Sequence, residues 1–418
     1  MRKILFVDND AKEIKRLKKM LRPIRHEWEM EFAVNGEEAL GFMAKFPFDV
    51  IVSDMHLPGI SGVELLDTVM ERHPETVRII HSEHSDRKMV LQSARPAHQF
   101  LMKPCNAETM KCTIERVCKL QDLLRSETLR KIVTGIKDLP SLPRLYGLII
   151  NEMQLSASSL KKVGHIISQD VSMSAKILQL VNFGLPQKIV DPQQATVYLG
   201  IDKLKALVLS IHVFSSFAED AELCGFSIAD VQKHSMMVAR LAQDIARAET
   251  DDGKVVEEAM IAGMLHDIGK LILLKVPRQY KKVMDVIEKK GCDFVDAEYI
   301  VMKTSHAELG AYLLGLWGIP DNVVEVVAFH HNPSKLLENM FFAPNKTPKG
   351  VSGKAKEFTA LTAVHVANSL LMQENYSGTT DYPYIDTLYL RTLGLKDKLP
   401  EWVACYNNAV RQEVIKYV

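Results

Sequence analysis

Two aspartates and a lysine are the residues best suited to chemistry in the first third of the chain. Asp8, Asp54 and Lys103 each stand at the end of a short apolar run. Carboxylates that lie side by side can hold a hard divalent cation through their oxygens. A lysine or a hydroxyl nearby, such as that of Ser82, can bind a phosphoryl group. The cation offsets the charge repulsion that would otherwise keep a carboxylate from attacking phosphorus. These residue types therefore suit phosphoryl transfer to an aspartate.

Histidines form a second group, in the later half of the chain. They occur in the order His234, His266-Asp267, His306, His330-His331 and His365, with Asn368 close behind. Neutral imidazoles combined with a carboxylate suit zinc, iron, manganese or nickel. Lys270 is three residues after Asp267, which would put both side chains on one helical face, where the lysine could hold a phosphate. A single histidine on a helix is more often a packed residue than a ligand, so metal binding and a structural role both stay open.

The elements that must position the first group alternate through residues 3–118. Short β-branched or aromatic runs are separated by amphipathic segments, and the runs are Ile4–Asp8, Met30–Val34, Phe48–Asp54, Val77–Ser82 and Phe100–Lys103. Strands that alternate with helices in this way predict a five-stranded parallel, doubly wound sheet. In such sheets chemistry gathers at the carboxyl ends of the strands, where Asp8 and Asp54 both stand.

The rest of the chain predicts helices alone. Residues 119–136 repeat apolar side chains at helical spacing, and this segment could extend the last helix of the sheet domain as a connecting rod. Beyond Pro140 the helical repeats continue at 143–155, 158–168, 171–183, 202–217, 229–248 and 255–275, broken by glycine or proline. The second half is therefore predicted to be a helical bundle.

Residues 1–120 resemble the receiver domain of two-component response regulators, a flavodoxin-like fold. The resemblance lies in Val7-Asp8-Asn9-Asp10, in Ser53-Asp54-Met55-His56-Leu57-Pro58-Gly59 and in Lys103-Pro104. It implies that Asp54 is the phosphorylated nucleophile and that Lys103 binds the phosphoryl group, before a cis bond to Pro104. Ser82 and Phe100 take the places of the switch residues. Magnesium would be held by Asp8, Asn9, Asp54 and the backbone carbonyl of His56.

Asn9 departs from the receiver pattern. The family usually has two successive acids after the first strand, and here the second is an asparagine. Its amide can offer an oxygen but no charge, so we expect a lower magnesium affinity. Asp10, as the next residue out, is expected to face the loop. The alternative is a receiver-like fold that no longer accepts phosphate.

The segment Met264-Leu265-His266-Asp267-Ile268-Gly269-Lys270 resembles the HD superfamily of metal-dependent phosphohydrolases. His234, His266 and Asp267 match that ligand order, and Lys270 would be a catalytic residue, but Asn368 stands where the last aspartate would. His306 and the pair His330-His331 follow the order of the two-metal branch that cleaves cyclic dinucleotides. The Gly-Tyr-Pro motif of that branch is missing after His331.

Upstream motifs are more specific for the subfamily. Leu139-Pro140-Ser141-Leu142-Pro143, Ile166-Ile167-Ser168-Gln169-Asp170, Leu180-Val181-Asn182 and Ala195-Thr196-Val197-Tyr198-Leu199-Gly200 all resemble the HDOD domain. This resemblance spans roughly residues 136–375. HDOD domains are generally viewed as signalling or adaptor modules that often lack metal ligands, so it implies output by protein contact. The histidines retained here keep catalysis open, because fold likeness does not decide activity.

Composition narrows the classes of partner and compartment. Lysine plus arginine equals aspartate plus glutamate at 52 each, which argues against nucleic acid or an anionic membrane as a general partner. The six cysteines are scattered, as in a reduced protein. No apolar run approaches the roughly 18 residues of a membrane span, so a cytoplasmic protein is expected.

The sequence thus predicts a response regulator with an α/β receiver domain and an all-α output domain. The expected divisions are a receiver at 1–120, a helical linker at 121–136, an HDOD domain at 137–375 and closing helices packed on it at 376–418. A sensor histidine kinase and an unidentified downstream protein are the expected partners, and a homodimer stays open. The competing hypothesis is a receiver-gated, metal-dependent phosphohydrolase that acts on a nucleotide or cyclic dinucleotide, with iron, manganese, zinc or nickel as its metal.

Overall fold

The structure is a computed structural model, and its described residues are 1–82, 97–123, 160–168, 191–200, 227–338, 358–372 and 384–414, with isolated positions between 149 and 211. Contacts divide the chain into two compact units, residues 1–201 with 312–318 and residues 202–311 with 319–418. Among the described helices none is long and apolar enough to cross a membrane. The segment expected to hold the fourth receiver helix, 83–96, lies outside the described residues, as does the predicted linker beyond residue 123.

A parallel sheet of five strands forms the centre of the first unit: β1 (Arg2–Val7), β2 (Trp28–Ala33), β3 (Val50–Ser53), β4 (Val77–Ser82) and β5 (Gln99–Met102). The strand order is β2-β1-β3-β4-β5, and all neighbours are parallel. The helices are α1 (Ala11–Leu21), α2 (Gly36–Met43), α3 (Gly62–Arg72), α4 (Ala107–Leu123), α5 (Leu160–Ser168) and α6 (Pro192–Leu199). The predicted five-stranded parallel sheet is confirmed, with strand ends that differ by at most two residues.

The two central strands position the aspartates. β1 and β3 are apolar along most of their length, and β3 is buried at every position, as expected for strands covered on both faces. In their register Val7 lies beside Ser53, and the Asp54 amide donates to the Val7 carbonyl at 2.7 Å. Asp8 and Asp54 therefore follow their strands side by side, at one edge of the sheet.

Local polar residues fix where the receiver helices begin. Asp10 accepts a hydrogen bond from the Lys12 amide at the start of α1, and Asn35 caps α2 in the same way. Ser61 and Glu64 form a reciprocal capping box at the start of α3, which satisfies amides that have no partner within the helix. The prediction that Asp10 turns away from the pocket agrees with its use as a cap.

Helices make up the described part of the second unit. They are α7 (Ile228–Glu249), α8 (Gly253–Leu265), α9 (Ile268–Leu274), α10 (Pro277–Lys290), α11 (Phe294–Met302), α12 (His306–Leu316, whose last turn belongs to the first unit), α13 (Asp321–Phe329), α14 (Ser334–Glu338), α15 (Ala360–Met372), α16 (Thr387–Leu393) and α17 (Leu399–Val414). The all-helical second half predicted from the sequence is confirmed for these residues.

Close helix packing organises this unit. A Cβ added at Gly263 of α8 would lie 2.6 Å from the Ala239 Cα of α7, so the two backbones nearly touch. The central helix α15 is buried at all positions from Ala360 to Leu371. The C-terminal helix packs on α7, where the fully buried Trp402 donates its Nε1–H to Glu249 at 3.0 Å.

The His266-Asp267 pair differs from expectation. The sequence predicted one helix through residues 255–275, but α8 ends at Leu265 and α9 begins at Ile268. Asp267 has left the helical conformation (φ −97°, ψ 7°), and the His266 Nδ1–H donates to the Gly263 carbonyl at 2.8 Å. The apolar repeat continues across the break, so periodicity alone did not reveal it. As a result the pair stands at a junction between two helices.

Candidate functional site

Asp8, Asp54 and Lys103 meet at the carboxyl edge of the sheet. The Lys103 Nζ donates to Asp8 Oδ2 at 2.6 Å and to Asp54 Oδ2. Asp8 is 2% exposed and Asp54 9% exposed. One ammonium group thus bridges two carboxylates that are mostly withdrawn from water, in the pocket that the residue types predicted.

Burial and hydrogen bonding shift the titration of this pocket. Burial raises the pKa of Asp8 above its ordinary value, and the bond to Lys103 only partly offsets that. Burial opposes the charged form of Lys103, but the hydrogen bonds to Asp54 and Asp8 outweigh it and raise the pKa of the lysine. The lysine is therefore charged at neutral pH.

Of the other predicted receiver residues, His56 and Ser82 contact this trio. The His56 amide donates to Asp54 Oδ1 at 3.0 Å, which orients the carboxylate. Ser82 is buried at the end of β4, and its carbonyl accepts from the Lys103 amide at 2.8 Å. The Lys103–Pro104 bond is cis, as predicted. Asn9 is exposed in the β1–α1 loop, and the side chain of Phe100 lies outside the described residues.

In the second unit the candidate ligands form two groups that share one carboxylate. Asp267, His306, His330 and His331 are one group, and His234, His266 and Asp267 are the other; within each, one ligand atom per residue lies within 4.8 Å of the rest. Asp267 Oδ1 is 3.3 Å from the His306 Nε2 and 4.0 Å from the His330 Nε2. Its Oδ2 is 3.3 Å from the His266 Nε2 and 3.9 Å from the His234 Nε2.

The protonation of two of these histidines can be read from their hydrogen bonds. His266 and His330 each place Nδ1 at 2.8 Å from a backbone carbonyl, of Gly263 and Val327 respectively. A carbonyl oxygen can only accept, so Nδ1 carries the proton, and in the neutral ring Nε2 is left with a lone pair. Burial lowers the pKa of His330 well below its ordinary value, which keeps that ring neutral.

These lone pairs point toward a carboxylate that is also an acceptor. The His266 Nε2, the His330 Nε2 and Asp267 Oδ1 are buried and have no hydrogen-bond partner within the described structure. Buried acceptors that converge without a donor are costly, and a cation at their centre would satisfy them. The residues present therefore fit a transition-metal ion.

Lys270 and Asn368 each contact one residue of the group that contains His234, His266 and Asp267. The Lys270 Nζ, in the first turn of α9, donates to Asp267 Oδ2 at 2.7 Å. Asn368 Oδ1 lies 2.9 Å from the His234 Nε2, so the residue expected in place of the last aspartate does reach the site. Because the amide oxygen accepts, His234 presents an N–H here. The His234 group is therefore the weaker of the two as a cation site.

One functional candidate was missed by the sequence reasoning. Glu298, on α11, is fully buried, and its Oε2 lies 2.8 Å from the His306 Nδ1. It stands eight residues before His306 on another helix, so no local spacing marks it. His365, by contrast, lies outside both groups: its Nδ1–H donates to the His330 carbonyl at 2.7 Å, and its Nε2 accepts from the Asp386 amide at 2.8 Å.

Comparisons with known proteins match two separate regions of the chain. Residues 4–115 match the family model of the response regulator receiver domain. Residues 139–333 match that of the HDOD domain. Both regions carry motifs quoted above for the respective resemblance.

Individual relatives are distant. An uncharacterized protein of Treponema pallidum (strain Nichols) is 26% identical over 208 residues, which is 48% of this chain and 39% of that protein. The hydrogenase transcriptional regulatory protein HoxA of Cupriavidus necator is 29% identical over 122 residues, 29% of this chain and 25% of HoxA. The chain therefore spans well under two thirds of these relatives. A crystal structure of an HDOD domain protein from Geobacter sulfurreducens covers 72% of this chain and 96% of its own, with 17% identity and a TM-score of 0.49.

Proposed function

We propose that this chain, in which a receiver domain precedes an HDOD domain, is a response regulator controlled by phosphorylation of Asp54. A sensor histidine kinase is the proposed phosphodonor. The HDOD domain would pass the signal on by contacts with a downstream protein. Control by an Asp54 phosphate is the part of this proposal on which the rest depends.

The bridge between Lys103 and the two carboxylates is the observation that carries the proposal. Asp54 Oδ2 is the oxygen bound by Lys103, while Oδ1 is held by the His56 amide. An Asp54 oxygen would attack the donor's phosphorus, and the bond from phosphorus to the leaving group would break. Lys103, which already binds Asp54 Oδ2, would then neutralise the negative charge of the new phosphoryl group.

Magnesium fits the same pocket. Asp8, Asn9, Asp54 and the carbonyl of His56 would hold it, and two buried carboxylates with a single lysine leave charge for a cation to balance. When bound, the ion would reduce the repulsion between the attacking carboxylate and the phosphoryl oxygens.

The first experiment is phosphorylation with acetyl phosphate and magnesium, followed by intact-mass spectrometry. We expect the wild type to gain one phosphoryl group and Asp54→Asn to gain none. Asp49→Asn is the matched control, since Asp49 lies just before β3 at the opposite end and pairs with Arg2 at 2.9 Å. A wild type that gains no mass at millimolar magnesium would contradict the proposal.

Transmission to the output domain needs its own test. A phosphate drawn toward Ser82 and Lys103 would reposition β4 and shift the population of receiver conformations. We expect phosphorylation of the wild type to change hydrogen exchange beyond residue 137, with Asp54→Asn unchanged by the same treatment. Identical hydrogen exchange beyond residue 137 before and after phosphorylation would contradict the proposed coupling between the domains. It would not contradict phosphorylation of Asp54.

A second candidate function rests on the lone pairs that converge at Asp267. The histidine groups would hold a transition metal, with iron, manganese, zinc and nickel as candidates, and a bound metal could supply an activated water for phosphoester hydrolysis. Asn368 and the missing Gly-Tyr-Pro motif count against a nucleotide or cyclic dinucleotide substrate. Metal binding is therefore the stronger part of this candidate.

Measuring the metal content of the purified protein tests this second candidate function. We expect protein purified without chelator to carry transition metal that is lost in the double variant His266→Ala/Asp267→Ala. His165→Ala is the control, because that histidine is exposed on α5. A folded wild type that cannot be loaded with any of the four metals would rule out the metal site. Hydrolysis of a cyclic dinucleotide by the loaded protein is the assay for catalysis.

A further inference from the structure

Glu298 lies behind His306, on the side away from Asp267. Its Oε2 is 2.8 Å from the His306 Nδ1 and accepts the His306 amide at 3.1 Å. Glu298 and His306 are 0% and 1% exposed. The carboxylate thus meets the histidine through the ring nitrogen that does not face the candidate ligands.

The contact determines which nitrogen of His306 carries the proton. A carboxylate accepts, so Nδ1 holds the N–H, and in the neutral ring Nε2 keeps its lone pair. That Nε2 lies 3.3 Å from Asp267 Oδ1 and 3.0 Å from the His331 Nε2. His306 therefore turns its Nε2 toward Asp267 and His331, the same group of candidate ligands.

We propose that Glu298 is a positioning residue that holds His306 in the Nδ1–H form and thereby presents its Nε2 as a metal ligand. The proposal rests on the metal binding proposed above. It also predicts that the group containing His306 binds a metal more tightly than the group containing His234, because a buried carboxylate holds His306 in place. A carboxylate behind an imidazole raises its basicity and fixes its ring plane, which strengthens the bond from the other nitrogen to a metal.

The surroundings hold Glu298 in place without satisfying it fully. Its second oxygen, Oε1, is buried and has no hydrogen-bond partner within the described structure. A buried carboxylate with an unused oxygen is expensive. When His306 binds a metal its ring becomes more positive, and this charge would offset part of the cost of burying the Glu298 carboxylate. The contact between Glu298 and His306 would therefore be stronger with the ion bound.

A second role for Glu298 is purely structural. Because Oε2 also accepts the His306 amide, the carboxylate caps the N-terminus of α12, where negative charge is favourable. A nearby carboxylate, Glu308, accepts from Tyr299 at 2.7 Å and from Thr304 at 2.6 Å, and neither of these partners is a candidate metal ligand. Glu308 therefore offers a matched control for a part-buried carboxylate in the first turn of the same helix.

The test is a titration of the full-length, metal-free protein with Co²⁺ in competition with a chelator, read by visible absorption of the ion. We expect Glu298→Ala to weaken binding of the tighter ion by roughly 10- to 100-fold, the effect typical of removing such a carboxylate. Glu298→Gln keeps an acceptor but no charge, so a smaller loss is expected. Glu308→Gln should bind Co²⁺ as the wild type does.

Histidine tautomers provide a readout that needs no metal. In protein labelled with ¹⁵N-histidine, the ring signals of His306, assigned from a His306→Gln sample, should show protonation at Nδ1. We expect that preference to be lost in Glu298→Ala and the tautomers of other histidines to be retained. A wild-type His306 whose neutral ring is protonated at Nε2 instead of Nδ1 would overturn the proposal.

The remaining outcomes separate the two proposals. A wild type that binds no Co²⁺ would contradict the metal site itself. A wild type and a Glu298→Ala variant of equal Co²⁺ affinity would contradict only the role of Glu298. Lower thermal stability of the alanine variant with unchanged affinity and tautomer would reduce Glu298 to a helix cap. Should the alanine variant not fold, Glu298→Gln with unchanged affinity would overturn the proposal equally.

Discussion

Asn9 is the residue whose chemistry sets the charge of the receiver pocket. It follows the buried Asp8 and is exposed in the β1–α1 loop. We predict that Asn9→Asp raises magnesium affinity several-fold, because a second carboxylate on this loop adds a charged oxygen ligand for a hard cation. Without magnesium the same change should lower the free energy of unfolding, since it adds repulsion beside Asp8 and Asp54. Isothermal titration with Mg²⁺ and urea unfolding measure the two effects.

Asp10→Asn is the control for that substitution. Asp10 already caps α1 by accepting the Lys12 amide at 2.8 Å, and asparagine caps a helix about as well. We therefore expect its magnesium affinity to stay within about twofold of the wild type, as for a residue that supplies no ligand. An Asn9→Asp variant with unchanged affinity would show that residue 9 does not reach the ion.

Residue type was a good guide where strand ends bring residues together. Asp8, Asp54 and Lys103 could be assigned to one pocket because parallel strands end at the same edge of a sheet. Glu298 could not be found that way. Its role depends on how α11 lies against the start of α12, which no spacing in the sequence encodes. The tautomers of His266 and His330 likewise depend on carbonyls that only the folded helices position.

At the scale of elements, the contact between α9 and α12 brings Asp267 to His306. A Cβ added at Gly269 would lie 1.8 Å from the His306 carbonyl oxygen and 2.6 Å from the Gly310 amide nitrogen. We predict that Gly269→Ala separates the two helices, destabilises the protein by about 1–3 kcal/mol as overpacking does, and weakens metal binding. Chemical unfolding and Co²⁺ titration test the two effects.

Gly253→Ala is the matched control, since Gly253 begins α8 with open space around its Cβ position. It should unfold and bind Co²⁺ as the wild type does. Full stability and full metal affinity of Gly269→Ala would mean that this close approach is not needed. The sequence predicted the helices here but not their break at His266-Asp267, because the apolar repeat runs through both α8 and α9.

At the scale of the whole molecule, the described residues include candidate cation sites of two different chemistries. The receiver pocket offers carboxylate oxygens from Asp8 and Asp54, whereas the cluster around Asp267 is mostly imidazole. Oxygen ligands suit magnesium, and imidazoles suit transition metals. The sequence predicted both sets of residues and the two fold classes. It could not predict which ligand atoms converge, because that depends on helix packing within the second unit.

This difference predicts that each ion stabilises the protein through its own residues. An ion that binds only the native state adds about 2.7 kcal/mol at one hundred times its dissociation constant. We expect Mg²⁺ to raise the unfolding temperature of the wild type and of His266→Ala/Asp267→Ala, but not of Asp8→Asn. Co²⁺ should raise the unfolding temperature of the wild type and of Asp8→Asn, which keeps the imidazole groups. It should not raise that of His266→Ala/Asp267→Ala. Differential scanning calorimetry of the three proteins, each with chelator, Mg²⁺ or Co²⁺, measures these shifts. If Co²⁺ stabilised the double variant as much as the wild type, the histidine groups would not be the Co²⁺ site. If Mg²⁺ still stabilised Asp8→Asn, the receiver pocket would not be the Mg²⁺ site.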